Sequence, residues 1–243
     1  MIKKNIKDED GQMKVFSISD LHLSINSNKP MDVFGPVWED SFEKIKKDWM
    51  NKVSDDDIVL LCGDLSWAMQ LEDAMQDINM LDKLKGTKIL LKGNHDYWWQ
   101  GITALRTVLP KNFFAIQNDA IKIGKYVFCG TRGWLIPEGK FNNDENQKIF
   151  NREVERLKLS LDAMTKLKED GDTVICLMHF PPFLQNEQST KFTDLLEKYN
   201  VNFVVFGHIH KNLSGYKFKT IKNNITYFLS SCDLLDNQLV EIV

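Results

Sequence analysis

Five stretches of this chain share one design: a short continuous apolar run, then at once a loop bearing carboxylate, amide or imidazole side chains. They are MKVFSISDLH (13–22), DIVLLCGD (57–64), TKILLKGNHD (87–96), DTVICLMHF (172–180) and VNFVVFGHIH (201–210). Apolar runs of this length without alternation are the pattern of strands covered on both faces. Segments of helical period lie between them. Trp38, Phe42, Ile45, Trp49 and Val53 mark a helix over 38–53. Ala68, Leu71, Met75, Ile78, Leu81 and Leu84 mark a second, closed by Gly86. A short helix over 98–108, a long one over 145–169 and one near 190–199 complete the set. Repeated strand–loop–helix units build parallel sheets with right-handed crossovers, so the expected class is α/β.

The middle of the chain changes character. NFFAIQND, AIKIG and KYVFCGTRGW are short strand-like runs with turn signals at Asn118–Asp119 and Gly124–Lys125. They read as an antiparallel edge or a second sheet. LSGYKF and ITYFLSS read as a closing hairpin around Lys222–Asn224. No repeat, low-complexity tract or linker is visible, so residues 13–243 are expected to form one domain of two sheets with helices outside. Residues 1–12 are polar and read as a tail, with Met13 a candidate start.

Composition narrows the partners. The net charge is −3 and the pI near 6.0, which argues against a broad basic surface for nucleic acid without closing off a local one. No apolar leader or 18-residue apolar run occurs, so the expectation is no membrane association and a cytoplasmic location. Cys62, Cys129, Cys176 and Cys232 are far apart and read as buried free thiols.

All five histidines fall in the strand-exit motifs. Asp20 and His22 are two apart, so at a strand end they project to one side and can share an ion. Alone, the pair reads equally well as a turn-capping Asp and a half-buried His. Asp64 follows Gly63 and could bridge two cations; alone it is a GD turn. In GNHD, Asn94 offers a neutral oxygen, His95 a proton, and Asp96 a partner for the His95 ring. Asn94 or Asp96 taken singly could be a helix N-cap. His208 and His210 repeat the two-apart spacing. His179 before Pro181 is weak by itself. Ligands placed at the carboxyl ends of parallel strands are what open α/β sheets favour.

The order D-x-H, GD, GNHD, H, GHxH, spread over about residues 15–210, resembles the calcineurin-like metallophosphoesterase superfamily. The resemblance implies a four-layer α/β/β/α sandwich of two mixed sheets flanked by helices. It implies two divalent metal ions: Asp20, His22 and His210 on one, Asn94, His179 and His208 on the other, Asp64 bridging. His95 would be the general acid and Asp96 would orient it. A hydroxide shared by the ions would attack phosphorus. Ligands of oxygen and nitrogen without thiolate suit Mn, Fe or Zn.

The substrate is less legible. Protein phosphatases of this superfamily carry an Arg soon after GD and usually GNHE; here the sequence is GDLSWAM and GNHD. That favours a phosphodiesterase on a small or nucleotide-like phosphoester. The alternatives are a nuclease or phosphomonoesterase of the same superfamily, or a non-catalytic scaffold. Arg132 in GTRGW, with Asn94, is the candidate to bind the substrate phosphate, against the reading of a surface Arg. Tyr97, Trp98 and Trp99 could stack on a base, but packing on the sheet is the expectation. The turn-rich segments 24–37 and 133–146 are long enough to be binding loops.

Overall fold

The computed structural model describes residues 13–25, 29–211 and 215–243. The polar segment 1–12 and part of the 24–37 loop therefore lie outside the described residues. The first sheet is built from β1 (Val15–Ile18), β2 (Ile58–Leu61), β3 (Thr87–Leu91) and β4 (Phe113–Ile116), joined by α1 (Ser41–Lys52), α2 (Leu71–Asp82) and α3 (Ile102–Val108). These four strands are parallel, in sequence order. The second sheet contains β5 (Ala120–Ile123), β6 (Tyr126–Thr131), β7 (Thr173–Met178), β8 (Phe203–Phe206), β9 (Lys219–Lys222) and β10 (Ile225–Leu229), in the order β5-β6-β7-β8-β10-β9. Strands β6, β7, β8 and β10 are parallel, and the edge strands β5 and β9 are antiparallel. Helices α4 (Asp144–Thr165) and α5 (Lys191–Lys198) belong to this half.

The apolar runs explain the layering. Alternate residues of each strand point to opposite faces. In β2, Ile58 and Leu60 pack against Phe128, Ile175 and Val205 of the other sheet, while Val59 and Leu61 pack toward Trp49, Ile78 and Leu105 of the helices. In β7, Ile175 and Leu177 join the inner layer, while Val174, Cys176 and Met178 meet Leu157, Leu161 and Phe192 of α4 and α5. Both faces are dry, so no polar alternation survives. The result is the expected α/β/β/α sandwich of two mixed sheets.

Two local expectations are corrected and one strand was not foreseen. NFFAIQND is not antiparallel: β4 pairs parallel with β3, because α3 supplies the crossover and makes the pair a further β-α-β unit. The closing hairpin uses KTIK; residues 215–218 of the LSGYKF run precede the strand, and Leu213 and Ser214 lie outside the described residues. The hairpin turn is Asn223–Asn224, both at positive φ (48° and 64°), which fits a two-residue hairpin loop that Asn tolerates. A two-residue strand β11 (Val240–Glu241) had no sequence signal; it pairs antiparallel with β1. All four cysteines are buried and free, as expected. Among the described residues, no helix is long and apolar enough to cross a membrane.

Candidate metal centre

The exits of β1, β2, β3, β7 and β8 converge at one end of the sandwich, because the strands are parallel within each sheet and backbone bonds tie the loops together. Asp20 N–H donates to Gly63 O (3.0 Å), His22 N–H to Asp64 O (3.0 Å) and Gly207 N–H to His179 O (3.1 Å). The loops turn so sharply that Asp20, His22, Asp64 and His208 all adopt positive φ (58°, 48°, 51° and 69°). Such backbone costs about 1–3 kcal/mol per residue and persists where surroundings over-determine it. Two glycines allow the close approach: a Cβ on Gly93 would collide with Asp64, and one on Gly207 with Asp20 and Ser19.

Two donor sets result. Asp20, His22 and His210 each place a ligand atom within 4.8 Å of the others, and so do Asp64, His179 and His208. Asn94 belongs with the second set, its Oδ1 lying 2.8 Å from His179 Nε2. Asp64 stands between the sets: its Oδ2 is 3.4 Å from His179 Nε2 and 3.9 Å from His22 Nε2. The structure thus brings the seven candidate residues together at one end of the sandwich. His95 lies beside them. Its N–H donates to Asp64 Oδ1 (2.8 Å), and its ring packs 4.6 Å from Trp67 and 5.7 Å from His22, centroid to centroid.

The donor set fits divalent cations. His22 Nδ1 is a buried polar atom with no hydrogen-bond partner among the described residues, a costly state that a neighbouring cation site would rationalise. Burial lowers His22 and His208 to about 3, so both present neutral imidazole, the form that ligates. Burial raises the Asp20 carboxyl, against the pull of His179 and His210. Burial would also raise Asp64, but the His179 charge and hydrogen bond outweigh it and the net shift is downward. Burial would lower His179, but Asp64 and then Asp20 outweigh it and lift it to about 9. Without metal, His179 is therefore protonated at neutral pH, and a cation must displace that proton. Metal binding at pH 7 should release a proton, and apparent affinity should rise about tenfold per pH unit up to about pH 9. Calorimetry in buffers of different ionisation enthalpy reads this directly; buffer-independent heats would contradict it.

Asp96 departs from expectation. Its oxygens accept from the backbone N–H groups of Asp64 (2.9 Å), Gly93 (2.7 Å), Leu65 (2.9 Å) and Ser66 (3.3 Å), and from Trp98 Nε1 (3.0 Å). His95 Nδ1 is buried with no partner. Asp96 therefore pins the β2 and β3 exit loops to each other and does not orient the His95 ring. Burial and the Asp64 charge raise it to about 6, still mostly ionised at neutral pH, as five donors require.

Residues 230–233 (SSCD), at the exit of β10, were missed. Ser231 Oγ donates to Asp20 Oδ2 (3.0 Å), as does Ser19 Oγ (2.5 Å). Cys232 Sγ donates to the Asp20 carbonyl (3.1 Å). Asp233 Oδ1 lies 3.1 Å from His210 Nδ1, and its Oδ2 accepts Lys211 N–H (3.0 Å). The signal was the same one used elsewhere, an apolar run (ITYFL) breaking into polar residues. Asp233 fixes which His210 nitrogen is free to ligate. Asp233→Asn should weaken metal affinity by about 10–100-fold, as loss of such partners does elsewhere; unchanged affinity by competitive chelation would rule this out.

The aromatic expectations divide. Trp98 and Trp99 are buried, their indole N–H groups donating to Asp96 and to Gln117 Oε1. Tyr97 is exposed, 6.2 Å from the His95 ring. Trp67 and Trp38 were not foreseen: Trp67 stacks on His22 at 4.8 Å, and Trp38 lies 6.0 Å away. Arg132 adjoins the second donor set through its carbonyl, which accepts His179 N–H (3.0 Å). Its guanidinium, however, stacks on Trp134 at 4.8 Å and faces Glu153.

A two-sheet sandwich whose strand ends gather Asp, Asn and His donors is an arrangement able to hold divalent cations. The family model for calcineurin-like phosphoesterases matches residues 13–212, and the chain belongs to that family. The protein is thus a metal-dependent phosphoester hydrolase in general class. An uncharacterized protein of Methanocaldococcus jannaschii, MJ1445, is 29% identical over 178 residues, covering 66% of this chain and 94% of the relative. The crystal structure of TT1561 from Thermus thermophilus shares the fold with a TM-score of 0.60 at 14% identity, covering 94% of this chain and 97% of that one. A protein of unknown function from Aquifex aeolicus, AQ665, superposes with a TM-score of 0.49 at 13% identity, covering 94% of this chain and 95% of its own.

Proposed function

We propose that the protein is a phosphodiesterase acting on a small or nucleotide-like substrate. The observation that carries this reading is the Trp67 ring, packed against both His22 and His95, with Trp38 against His22 and His210. The wall beside the donor atoms is aromatic. A phosphomonoester dianion is best held by a guanidinium fork. A diester carries one charge and a second organic group, which an aromatic wall accommodates.

Asp20, His22 and His210 would hold one divalent cation, Asn94, His179 and His208 a second, and Asp64 both. Mn, Fe or Zn suits these donors. Bound there, the cations would supply Lewis acidity and acidify the attacking water. The carboxylates of Asp20 and Asp64 offset the cation charge. Asp233 and Ser231 hold the donors in place. His95 is pinned through its main chain to Asp64 and through its ring to Trp67. Held beside the donor sets in this way, the His95 imidazole would be the group to give a proton to the departing ester oxygen.

The test compares bis-p-nitrophenyl phosphate with p-nitrophenyl phosphate at saturating Mn²⁺, beside plasmid DNA. The diester should be cleaved faster. Faster monoester release would assign a phosphomonoesterase, and plasmid nicking a nuclease. No release with metals bound would assign a scaffold.

A further inference from the structure

A second polar cavity opens next to the donor cluster, where β3, β4 and β6 end. Its volume is about 140 Å³, and it is lined by Lys92, Arg132, Arg156, Gln117 and Asn118, with Thr131 and Glu153 on its floor. That space is many times the room one water needs, enough for a phosphate group with its hydration. No ligand of the donor sets lines it, but it is joined to them. Lys92 immediately precedes the Gly93–Asn94 turn. The Arg132 carbonyl accepts the N–H groups of His179 and Phe180.

The charge of this cavity is unbalanced. Three cationic side chains share a single carboxylate. Glu153 is fully buried and already occupied: Arg156 Nη1 donates to its Oε1 (2.6 Å) and Thr131 Oγ1 to its Oε2 (2.8 Å). Arg132 Nη2 stands 3.8 Å from the same Oε1, too far for a hydrogen bond, and Arg132 Nε is buried with no partner. Lys92 Nζ donates to a carbonyl, that of Trp99 (2.8 Å), and among the described residues no carboxylate lies within ion-pair distance of it. Gln117 spends its Oε1 on the Trp99 indole, so its NH₂ is the polar group remaining. The cavity lining thus holds three cations to one carboxylate, with a buried guanidinium N–H that has no acceptor among the described residues and an amide donor. Half-buried like charges repel unless an anion is supplied, and guanidinium groups are matched to oxyanions of phosphate type.

We propose that this cavity is a second phosphate site, which takes a phosphoryl group other than the one being cleaved. Resting on the phosphodiesterase reading, this narrows the substrate class to phosphoesters that carry two phosphoryl groups, such as pyrophosphate-linked nucleotides. Free phosphate is the other source of the same chemistry, and the experiment separates the two.

Inorganic phosphate is titrated calorimetrically into the metal-loaded protein, into Asp64→Ala and into Lys92→Gln/Arg156→Gln. The cavity site should survive Asp64→Ala, because it needs no metal. In the double variant its affinity should fall at least about tenfold, with metal content unchanged. Arg156→Lys, which keeps a cation beside Glu153, should recover part of it, and Lys92→Gln alone serves if the double variant does not fold. The proposal is overturned if Asp64→Ala binds no phosphate, or if the Lys92 and Arg156 variants bind it as tightly as the parent. These readouts need no turnover, so they stand apart from the diesterase test. A KM that rises in the double variant for a nucleotide pyrophosphate diester, but not for bis-p-nitrophenyl phosphate, identifies the ligand as a second substrate phosphate. Weakened phosphate binding with both KM values unchanged identifies it as free phosphate.

Discussion

Asp64→Ala is expected to remove activity and paired-metal occupancy together. Its carboxylate lies between the two donor sets, reaching toward His179 on one side and His22 on the other. It also accepts the His95 N–H, so the substitution releases the His95 loop as well. Because metal-assisted chemistry supplies most of the rate in such a centre, turnover of bis-p-nitrophenyl phosphate should fall on the order of 10³-fold or more. Elemental analysis should show fewer than two ions per chain. Asp64→Asn separates charge from shape, since an amide oxygen can still accept from His95 but cannot counter two cations. Two ions retained in Asp64→Ala would reject the shared role of this carboxylate. The His179 shift gives an independent check: without the Asp64 charge, its pKa should drop from about 9 toward or below the ordinary value.

The second large effect is expected at His95. Its ring is outside both donor sets, so His95→Ala should keep its metals while turnover falls about 10²–10⁴-fold, the usual contribution of a positioned proton donor. The loss should be greatest for esters with poor alcohol leaving groups and smallest for nitrophenolate, which departs without a proton. A uniform loss across leaving groups would point to positioning through Trp67, and wild-type turnover would end the acid assignment. Asp96 gives the contrast. Because it holds four backbone N–H groups and an indole, and not the His95 ring, its removal should lower stability and activity together. It should not impose the leaving-group dependence of His95→Ala.

Much of the fold was legible because buried parallel strands leave a simple mark. IVLL, ILL and VICLM have no polar alternation, and in the structure both faces of these strands are dry. The donor residues were legible for a related reason: the polar residues that interrupt such runs stand where the strands leave the core. Short elements were less legible. β11 is two residues long, and its pairing depends on β1, more than 200 positions away. β4 looked like part of a meander, because its parallel partner lies across a helix.

What the sequence determined by itself was the α/β class and the position of the polar motifs at strand exits, since each depends on local order along one strand and its exit; the set of seven candidate ligands came from the family resemblance of those motifs. What only the tertiary structure decided were the partners. Asp96 turned out to serve backbone amides, and Asp233 and Ser231 to steady the donors. Trp67 came to lie against His95, and Arg132 to share a cationic cavity with Lys92 and Arg156. The reason is physical. A strand exit fixes where a side chain starts, but its hydrogen-bond partners come from other loops, brought close by packing that no local pattern encodes.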